Sequence, residues 1–171
     1  MMKSAKGFTL IELIVVIILL SVLGAVSIGL FSAPSQYAVK LAADQWLSQF
    51  RFAQRLSFLK QSVSEPVALV VNQSSNNWNS VTRQGSSTLN TFNIEYDSVS
   101  VRESSSDFTS PCSALPNMAF PKTFYFDGYG NAVDASRNQL STNQRICLIA
   151  TNTVELCISP SGYAYEGSCL L

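Results

Sequence analysis

The stretch GFTLIELIVVIILL, Gly7 to Leu20, decides how the rest of this chain is read. It opens an apolar run from Phe8 to Phe31, 24 residues in which Glu12 carries the only charge. Roughly 20 apolar residues suffice to cross hydrocarbon as a helix, so the run predicts a transmembrane helix. A short basic segment precedes it, Met1 to Gly7, with Lys3 and Lys6. An isolated carboxylate deep in a bilayer costs about 2.5–3.5 kcal/mol on insertion scales. Glu12 therefore needs a partner or a function.

A cleaved secretory signal has a shorter apolar region and a small-residue exit site. The nearest cut here would follow Phe31-Ser32-Ala33 and put Pro34 just beyond it, which that chemistry tolerates badly. A plain anchor accounts for the length and the lysines but leaves Glu12 unexplained. MMKSAKG followed by FTLIEL resembles the leader and cut site of type IV prepilins and type II secretion pseudopilins. The match rests on the short basic leader, Gly7 before the cut, Phe8 after it and Glu12 as the fifth mature residue.

The resemblance implies that a prepilin peptidase cuts between Gly7 and Phe8 and methylates the new N-terminus. It implies that the amino group of Phe8 in one subunit neutralises Glu12 of its neighbour. Assembly would then remove an unpaired charge from lipid and set the axial register, with Leu10 to Leu30 in a helix bundle.

The remainder, Ser35 to Leu171, has 137 residues, enough for one domain with its own core. Eleven basic and eleven acidic side chains balance, and loss of Lys3 and Lys6 by cleavage leaves nine against eleven. That balance supplies no basic field for nucleic acid. A DNA-binding tip subunit should cluster Arg and Lys with aromatics near the C-terminus, yet no Lys or Arg follows Arg145.

Gly24, Gly29 and Pro34 interrupt the first helical run, which predicts a bend or local melting there. From Ser35 to about Gln61, Val39, Ala42, Ala43, Trp46, Phe50, Ala53 and Leu56 or Ser57 recur at helical spacing. Ser35 is a candidate cap, and Glu65-Pro66 ends the element. Leu41, Leu47, Phe52 and Phe58 fall partly off the stripe. They read either as a wide core face or as contacts to neighbouring subunits.

After Pro66 the pattern changes to short apolar runs between polar turns. Strands are predicted over 66–72, 78–84 and 89–96, with Val99 to Val101 extending the third. Glu103 to Lys122 lacks periodicity and reads as a long loop holding Cys112. Thr123 to Phe126 is a strand, followed by the turn Asp127-Gly128-Tyr129-Gly130-Asn131, where both glycines can take positive φ. A phosphate-binding loop is excluded there by the missing lysine and helix. The FDGYGN stretch resembles the late turn of FimT/GspH-like minor pilins and pseudopilins, including minor pilins of mannose-sensitive haemagglutinin (MSHA) type systems.

Ile146 to Ala150 and Val154 to Ile158 predict a hairpin, and Gly162 to Tyr165 a last strand. A three-residue loop at Thr151 to Thr153 would set Cys147 opposite Cys157. Ile146, Leu148, Leu156 and Ile158 would share the other face. Four cysteines, Cys112, Cys147, Cys157 and Cys169, suggest two disulfides in an oxidising compartment. The hairpin favours Cys147–Cys157 with Cys112–Cys169. The FimT-like resemblance implies instead Cys147–Cys169 with Cys112–Cys157.

No histidine is present, so histidine-based triads and common metal sites are excluded. Carboxylates Glu95, Asp97, Glu103, Asp107, Asp127 and Asp134 read as solvated loop charges, without calcium-loop spacing. No catalytic residue, metal or cofactor is expected, and the chain does not read as an enzyme.

The expected architecture is α+β: a leader over 1–7, an assembly helix over 8–34 and a head over 35–171. The head comprises a helix over 35–62 and an antiparallel sheet over 66–166, with one long helix running through both segments. By resemblance, the expected partners are other pilin or pseudopilin subunits, prepilin peptidase and an inner-membrane assembly platform, with no nucleic acid. The head would stand in the periplasm before the subunit enters a filament.

Overall fold

The computed structural model describes residues 9–30, 34–61, 65–96 and 98–170, with only the backbone of 23–30 and 34–36. Two compact units are present, Met1–Pro34 and Ser35–Leu171. In the first, α1 spans Leu10–Leu30. In place of one long helix, a second helix, α2, spans Pro34–Lys60, and residues 31–33 lie outside the described residues. Proline suits the first turn of a helix, where no backbone donor is needed, so Pro34 fits the start of α2. Ser35 is consequently inside α2 and is not its cap. Of the bend or local melting expected near Gly24, Gly29 and Pro34, no melting occurs at the two glycines, which lie within α1, and the residues directly before Pro34 lie outside the described residues.

α2 buries Val39, Ala42, Ala43, Trp46, Phe50 and Ala53, together with Ser57. Leu47 is also buried, whereas Leu41, Phe52 and Phe58 are exposed, so the wide-face reading holds for Leu47 alone. The helix stops at Lys60, before Glu65-Pro66. Gln61 takes the left-handed conformation (φ 43°), and its N–H donates to Ser57 O at 3.0 Å. That is a C-terminal cap made without glycine.

The head holds two antiparallel sheets in place of the single sheet expected. The first orders β3-β2-β1-β5-β6, built from β1 (Val67–Gln73), β2 (Asn77–Gln84), β3 (Ser87–Glu95), β5 (Lys122–Phe126) and β6 (Ala132–Val133). The second orders β4-β7-β8-β9, from β4 (Ser100–Ser104), β7 (Gln144–Ile149), β8 (Thr153–Ile158) and β9 (Ala164–Glu166). Val99 to Val101 therefore does not extend the third strand. Ser98 turns the chain at φ 54°, and Val101 pairs with Leu148 of the second sheet.

One core joins α2 to both sheets. Trp46 meets Trp78 edge to face (centroids 5.4 Å apart, 89°), and Phe50 meets Phe124 at 4.8 Å and 83°. Ile146, Leu148, Leu156 and Ile158 enter the same core from the second sheet, on the face expected of them.

Two turns meet over the end of α2. Gly130 (φ 80°) lies against Phe58, where a Cβ would sit 2.4 Å from the ring. Gly162 (φ 76°) lies against Gly130 O, 1.9 Å from where its Cβ would stand. Gln54 Nε2 donates to Gly130 O at 3.3 Å and to Ser161 O at 3.1 Å, tying the turns together. Gly128 does not have positive φ, so only one glycine of that pair needs the freedom.

Between β4 and β5 the loop contains a 3-10 turn, Cys112–Ala114. Asp107 organises its first half: hydrogen bonds from the Ser110 hydroxyl and N–H and from Thr109 N–H hold its carboxyl down at about 2. A carboxyl depressed on folding contributes stability above its unfolded value, and that contribution is lost as pH falls toward the folded value. Acidification from pH 4 toward about 2 should therefore loosen residues 104–110. Amide exchange of Thr109 and Ser110, unchanged relative to the rest of the head across that range, would contradict this.

Candidate functional site

Glu12 stands in the first turn of α1. Thr9 N–H donates to Glu12 Oε2 at 2.9 Å and Thr9 Oγ1 donates to the same oxygen at 3.0 Å. Glu12 N–H donates back to Thr9 Oγ1 at 3.4 Å. This is a reciprocal capping box, in which two otherwise orphaned backbone donors of a helix start are satisfied. The carboxylate also lies at the positive end of the helix dipole. Within a single chain, then, Glu12 has partners, and their geometry fixes it beside the N-terminal end of the helix.

Thr9 was missed in the sequence reading. Its signal was present: Thr-x-x-Glu directly before an apolar run is the pattern of a capping box. Gly7 and Phe8, the candidate processing residues, lie outside the described residues.

Beyond Glu12, the described side chains of α1 form no polar face. The large apolar side chains from Leu10 to Val22 are 42–76% exposed, on every side of the helix. A helix apolar all round belongs in lipid or among other helices. Among the described residues, no helix is long and apolar enough to cross a membrane.

In the head, the four cysteines form Cys112–Cys147 (Cα–Cα 5.8 Å) and Cys157–Cys169 (5.3 Å). Both pairings considered from the sequence are thereby corrected. The cause is a register difference: the hairpin pairs Ile149 with Thr153, so Cys147 faces Glu155 and Cys157 faces Arg145. Cys147 and Cys157 share a face but sit diagonally, two pairs apart along the ladder. Each reaches outward instead, Cys147 to the long loop and Cys157 to the C-terminal segment.

Arg145 fills the space between the two bridges. It is 5% exposed and grips Glu155 with both ends of its fork, Nε to Oε1 at 2.8 Å and Nη2 to Oε2 at 3.0 Å. Its Nη1 donates to Ser110 O at 2.8 Å, and Cys169 N–H donates to Glu155 Oε1 at 3.3 Å. Cys112 Sγ, Cys147 Sγ and a Glu155 oxygen lie within 4.8 Å of one another. The two sulfurs are bonded to each other, so this group offers no thiolate to an ion.

The family described as prokaryotic N-terminal methylation motif matches residues 2–28. The match takes in Gly7, Phe8, Thr9 and Glu12 and runs through most of α1. The chain thus carries a type IV prepilin-like N-terminal signal, which supports the pilin and pseudopilin class. Such a signal points to processing by prepilin peptidase and association with other pilin-type subunits. No curated protein and no solved structure gives a match to the chain.

Proposed function

We propose that this chain is a minor pilin, a structural subunit without enzymatic activity, cut after Gly7, methylated at Phe8 and assembled into a type IV filament or at its tip. The carrying observation is the methylation motif at 2–28 around a helix whose sole charged side chain, Glu12, is held at its N-terminal end. In this reading α1 is anchored in the inner membrane with the head in the periplasm. Extraction into the filament exchanges lipid for neighbouring helices around the apolar surface of Leu10 to Val22. The amine of Phe8 in one subunit then pairs with Glu12 of the next.

The head supports a minor subunit of an MSHA-like pilus, similar to MshC, through its FDGYGN turn and its two disulfides. A GspH-like pseudopilin of type II secretion shares the turn and is the second reading. Genes for a pilus ATPase and sibling minor pilins beside this one would support the first; secretion-channel genes would support the second.

The proposal is tested by replacing Glu12 with alanine in cells that assemble the filament. Cleavage at Gly7–Phe8 should continue while the chain disappears from sheared filaments and stays with the inner membrane. Incorporation at the unaltered level would sink the reading.

A further inference from the structure

Two turns flank β6, and they are built alike. Asp127 N–H donates to Asn131 O at 3.0 Å, and Asp134 N–H donates to Asn138 O at 2.8 Å. Gly130 N–H donates to Asp127 O at 2.9 Å, and Arg137 N–H donates to Asp134 O at 3.0 Å. Asn131 gives its N–H to Asp127 Oδ1 and its Nδ2 to Oδ2, and Asn138 does the same to Asp134. Each turn has a left-handed residue at its fourth position. The first uses Gly130 (φ 80°) and the second uses Arg137 (φ 70°).

Arginine is a poor choice for that backbone, because its Cβ crowds a carbonyl oxygen that glycine avoids. The turn itself gives no reason for it. The place its side chain occupies does. A cavity of about 270 Å³ is lined by Tyr129 from the first turn and Arg137 from the second, with Pro66, Asp127, Gly128 and Val133. Tyr129 is 71% exposed, Arg137 is exposed too, and no described carboxylate forms an ion pair with its guanidinium. Asp127 is the one carboxylate among these lining residues. Its oxygens already accept from Tyr129 N–H, Asn131 N–H and Asn131 Nδ2, so its own turn engages it. Arg137 is left as the charge open to a ligand.

We propose that this cavity binds a carboxylate carried beside an aromatic or branched apolar group, with the carboxylate on Arg137 and the apolar body against Tyr129, Val133 and Pro66. A guanidinium fork meets a carboxylate with two parallel hydrogen bonds. The Tyr129 ring offers an open face for stacking. Volume bounds the ligand. A cavity of about 150 Å³ holds benzene, and drug-sized ligands need about 300 Å³ or more, so one amino-acid residue fits and a longer chain does not. The C-terminal residue of a polypeptide and a free acid of that size share this chemistry.

The test titrates the full chain in lipid nanodiscs with N-acetylphenylalanine and with its amide, reading backbone amide shifts. The acid should saturate with a Kd of ~1 mM and move Gly128, Tyr129, Val133 and Arg137, while the amide binds about tenfold more weakly for want of a charged acceptor. Arg137→Gly keeps the left-handed backbone, as Gly130 does, so the thermal midpoint should hold while the acid loses its advantage over the amide. Tyr129→Ala should weaken acid and amide alike. A peptide ending in phenylalanine separates the two sources. Tighter binding than N-acetylphenylalanine marks a polypeptide terminus and weaker binding marks a free acid, and either order upholds the site. Equal binding of acid and amide, shifts that never saturate, or undiminished affinity for the acid in Arg137→Gly would overturn the proposal.

Discussion

Full reduction of the two disulfides is expected to leave the head unfolded or close to it. In the chain-entropy account, a cross-link stabilises by restricting the unfolded chain, and more so for a longer loop. The bridge Cys112–Cys147 closes 35 residues of separation and Cys157–Cys169 closes 12. By that relation they contribute about 4 and about 3 kcal/mol. Their sum, about 7 kcal/mol, is comparable with the whole stability of an ordinary domain, about 5–15 kcal/mol. Both bridges also act locally on segments of little secondary structure, one fixing the loop between β4 and β5 and the other the C-terminal residues after β9. Urea unfolding with and without reductant checks this, and coinciding midpoints would contradict it. Pairwise Cys→Ala variants resolve the two: loss of Cys112 and Cys147 should cost more than loss of Cys157 and Cys169. Such dependence also restricts the head to an oxidising compartment.

What the sequence made legible follows the strength of its periodicity. The stripe Val39 to Ala53 repeats over four turns and buries as read, since helical spacing leaves one choice of face. The N-terminal motif was legible because a lone carboxylate in an apolar run has few explanations. The hairpin shows the limit. Alternation named the faces of Ile146, Leu148, Leu156 and Ile158 correctly, because parity survives a shift of the loop by one residue. Pairing partners do not survive it, and the disulfides went with them. The separation of β4 from β3 was hidden for a related reason. Ser98 adopts a left-handed turn without glycine, so nothing in Asp97-Ser98-Val99 announces that the chain leaves one sheet for another. Arg145 was invisible because one charged residue in a strand reads as solvent-facing until the segments that cover it are known.

That arginine carries the second large expected effect. Arg145→Ala should destabilise the head by about 3–5 kcal/mol, the cost of removing one member of a buried pair. The carboxylate of Glu155 would stay behind, 15% exposed, with the Cys169 N–H as its remaining described donor. Ser110 O would lose its 2.8 Å donor at the same time, so the loop on Cys112 loosens beside its bridge. Arg145→Lys should recover only part of the loss, since an ammonium cannot grip two carboxylate oxygens and a carbonyl in one plane. Replacing both partners, Arg145→Met with Glu155→Leu, should restore much of the stability, because an apolar pair leaves no charge to desolvate. A double-mutant cycle by urea unfolding measures the coupling. A cost below about 1 kcal/mol for Arg145→Ala, the range of an exposed pair, would mean that water reaches the site and that the bridges alone hold these segments.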